Sequence, residues 1–241
     1  MYNTNMASSS MITLPKNFNS SDLICEAPKT NALGGKVVYL KHNGQKRITI
    51  QTPLMSVPFG LSTYTDEKTG ITKYSIDMSF KGMDADPKIN TLHDKMQELD
   101  SHILNLAEQN SKEWLGKKMS KEVVEALYRP IVKQSKDPEK YAPTMKMKIT
   151  NLTSGEMNVE AYNTKREKID IKQELTQGAR IRCLMECSSI WFVNKQFGVS
   201  WRLVQAEIHK PDKISGFSFM EDSDDEEEYE EVTDDEADTN L

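Results

Sequence analysis

The sequence is short of cysteine, of aromatic residues and of long apolar runs. It has three cysteines in 241 residues. Cys183 and Cys187 would lie about 13 Å apart on one strand, too far to bridge, and Cys25 sits in a polar stretch. A disulfide scaffold is therefore excluded. A zinc site is excluded too, because no second Cys or His pair has ligand spacing. This usage fits a reducing compartment. No window approaches 18 consecutive apolar residues, so no transmembrane helix and no membrane partner are expected. Residues 1–14 lack a basic stretch followed by an apolar one, so a secretory signal is not expected. Hydrophobic residues make up only 37% of the chain, which points to part of it remaining unfolded.

Catalytic signatures are missing as well. There is no Gly-rich phosphate loop, no dinucleotide-binding Gly motif, no Gly-x-Ser-x-Gly and no His-Glu-x-x-His. His42, His93, His102 and His209 are scattered over a turn, a helix and a strand end. Asp77, Asp84 and Asp86 straddle a strand end and the loop before a helix, where Asp commonly caps or turns. Neither an enzyme nor a cofactor is expected.

The most informative absence is positive charge at the end of the chain. Residues 221–241 contain no Lys or Arg and 13 of the 37 acidic residues. The remaining 220 residues hold all 31 basic ones, so a body of about +7 is joined to a tail of −13. Such an asymmetry suggests a body that meets a polyanion and a tail that resembles one.

Periodicity organises the body. Residues 36–41 and 47–52 are β-branched runs on either side of Asn43-Gly44, a strong hairpin signal, since both central turn positions need positive φ. Residues 71–80 alternate, with Tyr74, Ile76, Met78 and Phe80 on one face and Lys73, Ser75, Asp77 and Ser79 on the other. The period then changes. Ile89, Leu92, Met96, Leu99, Ile103 and Leu106 mark the apolar stripe of an amphipathic helix opened near Pro87. A short helix is expected over 121–128, with Ser120 as N-cap. Strands are expected again over 144–150, 157–162 and 169–171, and a last hairpin pairs 179–193 with 197–209 across 194–196. The order is α+β and mainly β, with antiparallel pairing. Three strands, then helices, then more strands match an elaborated OB-fold barrel with its helix between the third and fourth strands.

Cations alternate with apolar residues on these strands. Arg180, Arg182 and Phe192 are expected to share the outer face of the long strand, and Arg202 faces out from its partner. Lys73, Lys146 and Lys148 occupy the polar faces of theirs, with Tyr74 nearby. Trp191 and Trp201 on the last hairpin suit either a core or a stacking platform. Mobile positive charge beside aromatic rings is what a single nucleic-acid strand requires, because phosphates seek cations and unstacked bases seek π-faces. The same alternation also describes an ordinary solvated sheet.

The tail weighs in favour of nucleic acid. Its run Glu221, Asp222, Asp224, Asp225, Glu226, Glu227, Glu228, with the aromatic Tyr229, cannot fold alone because it buries nothing. Tethered to a basic body, it can compete with a nucleic-acid backbone at an effective concentration on the order of millimolar. Residues 190–192 (Ile-Trp-Phe), 197–201 (Phe-Gly-Val-Ser-Trp) with Gln205, and 53–60 (Pro-Leu-Met-Ser-Val-Pro-Phe-Gly) resemble the single-stranded DNA-binding proteins of nucleocytoplasmic large DNA viruses. That family is similar to the replication single-stranded DNA-binding protein of short-tailed phages, an OB-fold with an acidic C-terminal tail. The resemblance spans 34–241. It implies coating of single-stranded DNA in viral replication and recombination, with the tail recruiting a polymerase, helicase or primase. The phage tail ends in an aromatic residue, whereas this one ends Asn240-Leu241 and offers Tyr229 instead.

These readings divide the chain into a flexible arm (1–33), an OB-fold-like nucleic-acid-binding domain (34–219) and a disordered acidic tail (220–241). They place it in the host cytoplasm, in a viral factory, or in the nucleus. Packaging in the virion and a homodimer are compatible with them. An acidic-tailed chaperone or scaffold for basic proteins is the alternative; it leaves the charge of the body unexplained.

Overall fold

Alternating sequences need a partner on each edge, and the strand pairings show how this chain supplies them. The computed structural model describes residues 12–31, 34–45, 47–211 and 217–220. Residues 1–211 form one unit and 212–241 a second. In the second, the Phe217 and Phe219 rings lie 5.5 Å apart. The expected acidic tail lies, from residue 221 on, outside the described residues, as do residues 1–11 of the expected arm.

Strands β1 to β7 are Leu23–Cys25, Lys29–Thr30, Lys36–His42, Ile48–Gln51, Met55–Ser56, Leu61–Thr65 and Thr72–Ser79. Helices α1 (Pro87–Gln109), α2 (Ser111–Leu115) and α3 (Lys121–Leu127) follow, then β8 (Tyr128–Arg129), β9 (Val132–Lys133), β10 (Thr144–Ile149), β11 (Glu160–Tyr162) and β12 (Lys168–Ile169). Helix α4 (Ile171–Glu174) precedes β13 (Arg180–Cys187), β14 (Ser189–Val193), β15 (Gln196–Val199) and β16 (Trp201–His209).

Five of these strand paths close a barrel. The combined β4–β5 strand pairs antiparallel with β7 and with β13. Strand β7 pairs antiparallel with β10, β10 parallel with β16, and β16 antiparallel with β13. Counted along the chain, the barrel runs 1-2-3-5-4 and back to 1, with its parallel contact between third and fifth, which is OB topology. Ile50, Met55, Ile76, Met78, Met145, Met147, Ile181, Met185 and Leu203 fill it and are solvent-inaccessible. Between β4 and β5, Pro53 has no N–H for the ladder. Thr52 spans the gap: its N–H donates to the Cys183 carbonyl at 2.8 Å, and its hydroxyl accepts from the Cys183 N–H at 2.9 Å.

A second sheet, ordered β1-β3-β14-β15-β8 with β2 also on β3, abuts the barrel. Here one expectation is corrected. Asn43 and Gly44 do form a tight turn with φ of 49° and 75°, closed by reciprocal His42–Gln45 hydrogen bonds. The hairpin does not continue beyond it, because β3 joins the second sheet and β4 the barrel. Alternation alone does not say which sheet a strand will enter. The long expected hairpin is present but changes sheet at Ser188 and Ser200. Its stem, β13 and β16, is barrel; its tip, β14 and β15, is second sheet. Part of the expected arm is also structured, since β1 and β2 pair with β3.

Helix α1 starts where the sequence places it. Asp86 caps it by accepting from the Lys88 N–H at 2.8 Å, and Pro87 occupies the first turn. Ile89, Leu92, Met96, Leu99 and Ile103 are buried, each contributing about 1.5–3 kcal/mol. The helix follows the third expected strand in the chain. However, 36–41 is not a barrel strand, so along the barrel α1 falls between the second and third strands. Among the described residues no helix is long and apolar enough to cross a membrane. The three thiols are free, and burial pushes Cys25 up to about 11 and Cys187 to about 12.

A buried carboxylate fastens the segment after α3 to α1. Asp100 accepts from the Tyr128 hydroxyl at 2.5 Å and from the Ile131 N–H at 3.0 Å. Asp100→Ala strands both donors, at about 1–3 kcal/mol each, so urea midpoints should fall accordingly. Burial, opposed by these hydrogen bonds, raises the Asp100 pKa. With the folded value above the unfolded one, stability falls as pH rises from the unfolded pKa, near 3.9, through the folded one. Asp100→Asn should remove that slope, measured as urea midpoints against pH.

Candidate nucleic-acid interface

The outer face of the second, third and fifth barrel strands gathers four of the six expected cations. Lys146 stands opposite Asp77 and pairs with it at 2.9 Å. Lys148 stands between Ser75 on β7 and Arg202 on β16. Lys73 faces Tyr64 across β6–β7 and lies 3.7 Å from Asp66. Arg202 pairs with Glu186, which Arg47 also approaches at 3.2 Å, so two guanidinium groups share one carboxylate. Lys148 differs from the rest. Its ammonium donates to the Ser200 hydroxyl at 3.0 Å, and among the described residues it has no carboxylate partner. Burial first, then the charge of Lys73, lowers its pKa. A cation in that position is stabilised by an arriving anion.

Aromatic rings flank this face. Tyr64 on β6 is 63% exposed and Phe59, in the loop before it, 65%. Tyr74 points to the other side of β7, in register with the buried Ile149, and is half-buried, with the Lys172 ammonium 5.3 Å from its ring centre. Phe59, Gly60, Tyr74, Lys172, Thr176 and Gln177 line a cleft of about 570 Å³. Gly60 holds the loop in place: its φ is +65°, and a Cβ there would sit 3.0 Å from the Gln177 nitrogen and the Leu175 oxygen. Gly60→Ala should therefore displace the Phe59 loop, read as faster proteolytic nicking near residue 60 with an unchanged barrel circular-dichroism signal.

Lys73, Lys146, Lys148 and Arg202 thus come together, whereas Tyr74 lines the cleft on the other side of β6 and β7. Arg180 and Arg182 do not join them, because β13 lies one strand further round the barrel, beyond β16. Arg182 there pairs with Glu207 at 3.4 Å. Two residues need correction. Trp201, 1% exposed, belongs to the core and offers no face to a strand. Phe192 does not share a face with Arg180 and Arg182, since the chain leaves the barrel at Ser188. It stacks on Phe197 at 5.8 Å, with Lys36 at 5.7 Å on its ring. The tail residues Glu221, Asp222, Asp224 to Glu228 and Tyr229 lie outside the described residues. The sequence reading missed Phe59, Tyr64 and Lys172. The signal for Tyr64 was faint: a polar five-residue strand, Leu61–Thr65, whose only mark is the turn at Gly70 that pairs it with β7. Asp77 serves Lys146 and Asp86 caps α1; among the described residues no cluster of three or more His, Cys, Asp or Glu could hold a metal.

The strand pairings define a closed OB barrel, a fold class in which the face of the second and third strands and the loops beside it take up nucleotide or sugar chains. The chain belongs to a family of unknown function, DUF5871, whose model matches residues 77–221. No curated protein matches it. Among solved structures it is similar to the single-stranded DNA-binding protein of bacteriophage Enc34 in complex with ssDNA, at 15% identity and TM-score 0.44, covering 79% of this chain and 98% of that one. It is also similar to gp2.5, the single-stranded DNA-binding protein of bacteriophage T7, at 13% identity and TM-score 0.43, covering 72% and 98%. The barrel assignment rests on the strand pairings.

Proposed function

We propose that the chain is a non-catalytic, sequence-nonspecific single-stranded DNA-binding protein that acts in viral DNA replication and recombination. The observation that carries this reading is Lys148. It is a lysine that has no carboxylate partner among the described residues, opposed by Lys73 and set among Ser75, Ser200 and Arg202 with Tyr64 on the strand beyond β7. Phosphates supply the missing counter-charge, while Tyr64 and Phe59 offer π-faces that any base can use. Barrel and sheet expose these groups singly along a face, which suits an unpaired strand rather than a duplex groove. The residue resemblance to viral single-stranded DNA-binding proteins supports the same reading. Titration with oligo(dT) and with duplex of equal length, at two salt concentrations, tests it. Preference for the single strand with a steep fall on raising salt is expected; equal affinity would indicate a general polyanion binder.

The acidic tail completes the proposal. It competes with DNA for the basic face and, once displaced, recruits a polymerase, helicase or primase. Deleting residues 221–241 should tighten strand binding at low salt and lose the gain near 1 M, where the Debye length is about 3 Å. Unchanged low-salt affinity on truncation would rule out the competition. Loss of binding to basic proteins with no gain for DNA would favour the chaperone reading.

A further inference from the structure

The outer face of the second sheet carries a row that the barrel does not need. Registers place Lys29, Val37, Trp191, Gly198 and Arg129 side by side across β2, β3, β14, β15 and β8. Half-buried Trp191 covers Gly198, where a Cβ would meet its Cζ2 at 3.0 Å, and its indole nitrogen is buried without a hydrogen-bond partner. Tyr39, opposite Ser189 and 37% exposed, is diagonal to Trp191 on the same face, about 7–8 Å away by sheet geometry. On the opposite face of this sheet Val38, Leu40, Ile190 and Phe197 are fully buried. The core therefore has no use for Tyr39.

The charge of this face is positive. Lys29 and Lys41 both pair with Glu26, at 2.6 and 2.7 Å, and the Lys29 ammonium lies 5.9 Å from the Tyr39 ring centre. Arg129 is exposed and its Nε donates to the Gln196 side-chain oxygen at 3.0 Å. Three cations thus stand against one carboxylate. The face also continues from the barrel. Gly198, Ser200 and Arg202 alternate with the buried Val199 and Trp201, so they share one side of the chain. Ser200 is the residue that holds Lys148. From Arg202 to Gly198 is about 13 Å along the backbone.

We infer that the outer face of the second sheet prolongs the strand-binding surface of the barrel, with Trp191 and Tyr39 stacking bases and Arg129 and Lys29 holding phosphates. The occupant is the same single strand of nucleic acid, so this inference rests on the proposed function. An apolar protein partner fits less well, because charged side chains end the row at both edges.

Two oligonucleotides separate the two claims. One of roughly six nucleotides is short enough to fill the barrel face alone, and one of roughly twenty can reach both surfaces. Trp114 and Trp201 are 4% and 1% exposed, so Trp191 is the tryptophan a base can reach. Binding of the long oligo(dT) to the full chain should quench intrinsic fluorescence, and Trp191→Phe should remove the quench. Tyr39→Ala and Arg129→Ala, both at exposed positions, should keep the wild-type melting curve and the affinity for the short oligonucleotide. For the long one, the ring variant should lose roughly 5- to 150-fold and the arginine variant a salt slope of about 0.7. Wild-type affinity of both variants for the long oligonucleotide, with no Trp191-dependent quench, would overturn the extension while leaving the barrel site standing. Failure of the wild-type chain to bind either oligonucleotide would overturn both.

Discussion

Trp201→Ala is expected to cost about 3–5 kcal/mol, a large share of a total stability on the order of 5–15 kcal/mol. The ring is 1% exposed, at the first position of the fifth barrel strand and in register with the buried Met147. Its indole nitrogen is buried without a hydrogen-bond partner, so volume is its contribution. Alanine would leave a cavity where the barrel meets the second sheet. Thermal unfolding followed by circular dichroism checks this, with Trp201→Phe retaining most of the transition and of the strand affinity. An alanine variant that melts like the wild type but binds oligo(dT) weakly would place the ring on the binding surface instead.

Lys148→Glu should produce the largest loss of binding without loss of fold. The substitution puts a carboxylate beside Lys73, Ser200 and Arg202, where an attraction replaces the Lys73 repulsion that, after burial, lowers the lysine pKa. The face loses two units of positive charge. For single strands each is worth a salt slope of about 0.7, so the slope should fall by about 1.4. Between 1 M and 50 mM salt that amounts to roughly 70-fold in affinity. Arg182→Ala, one strand removed and paired with Glu207, should change the slope far less. Equal effects of the two would mean that the strand follows β13 as much as β10. A reversed variant with wild-type affinity would remove Lys148 from the site.

The features legible in the sequence were those set by near neighbours. The alternation of 71–80 and 144–150, the stripe from Ile89 to Ile103 and the Asn43-Gly44 turn all depend on residues within a turn or a strand. Partner choice does not. Asp77 neutralises Lys146 from 69 residues away, and Glu186 receives Arg202 across a hairpin and Arg47 from the bend before β4. Before those pairs are known, Arg182 and Lys148 look alike; afterwards one is neutralised and the other is not. The divergence of β3 from β4 was equally hidden, since either sheet demands the same alternation. Tyr64 escaped because its strand is polar on both faces and leaves no periodic trace.

Barrel closure also sets the order of events in folding. The β4–β5 strand meets β13 through contacts such as Thr52 with Cys183, 131 residues apart, and the parallel contact of β10 waits for Trp201–His209. Helix α1 and the hairpins can form in microseconds, but loops of this length delay closure, and topologies rich in distant pairings fold in milliseconds to seconds. On the ribosome, at about 5–20 residues per second, the strand edges of β4–β5 and of β10 stay open until the last two barrel strands emerge. During that interval the nascent chain exposes pairing edges to its neighbours, and a chaperone that holds them would raise the yield of soluble protein more than any stabilising substitution in the finished barrel.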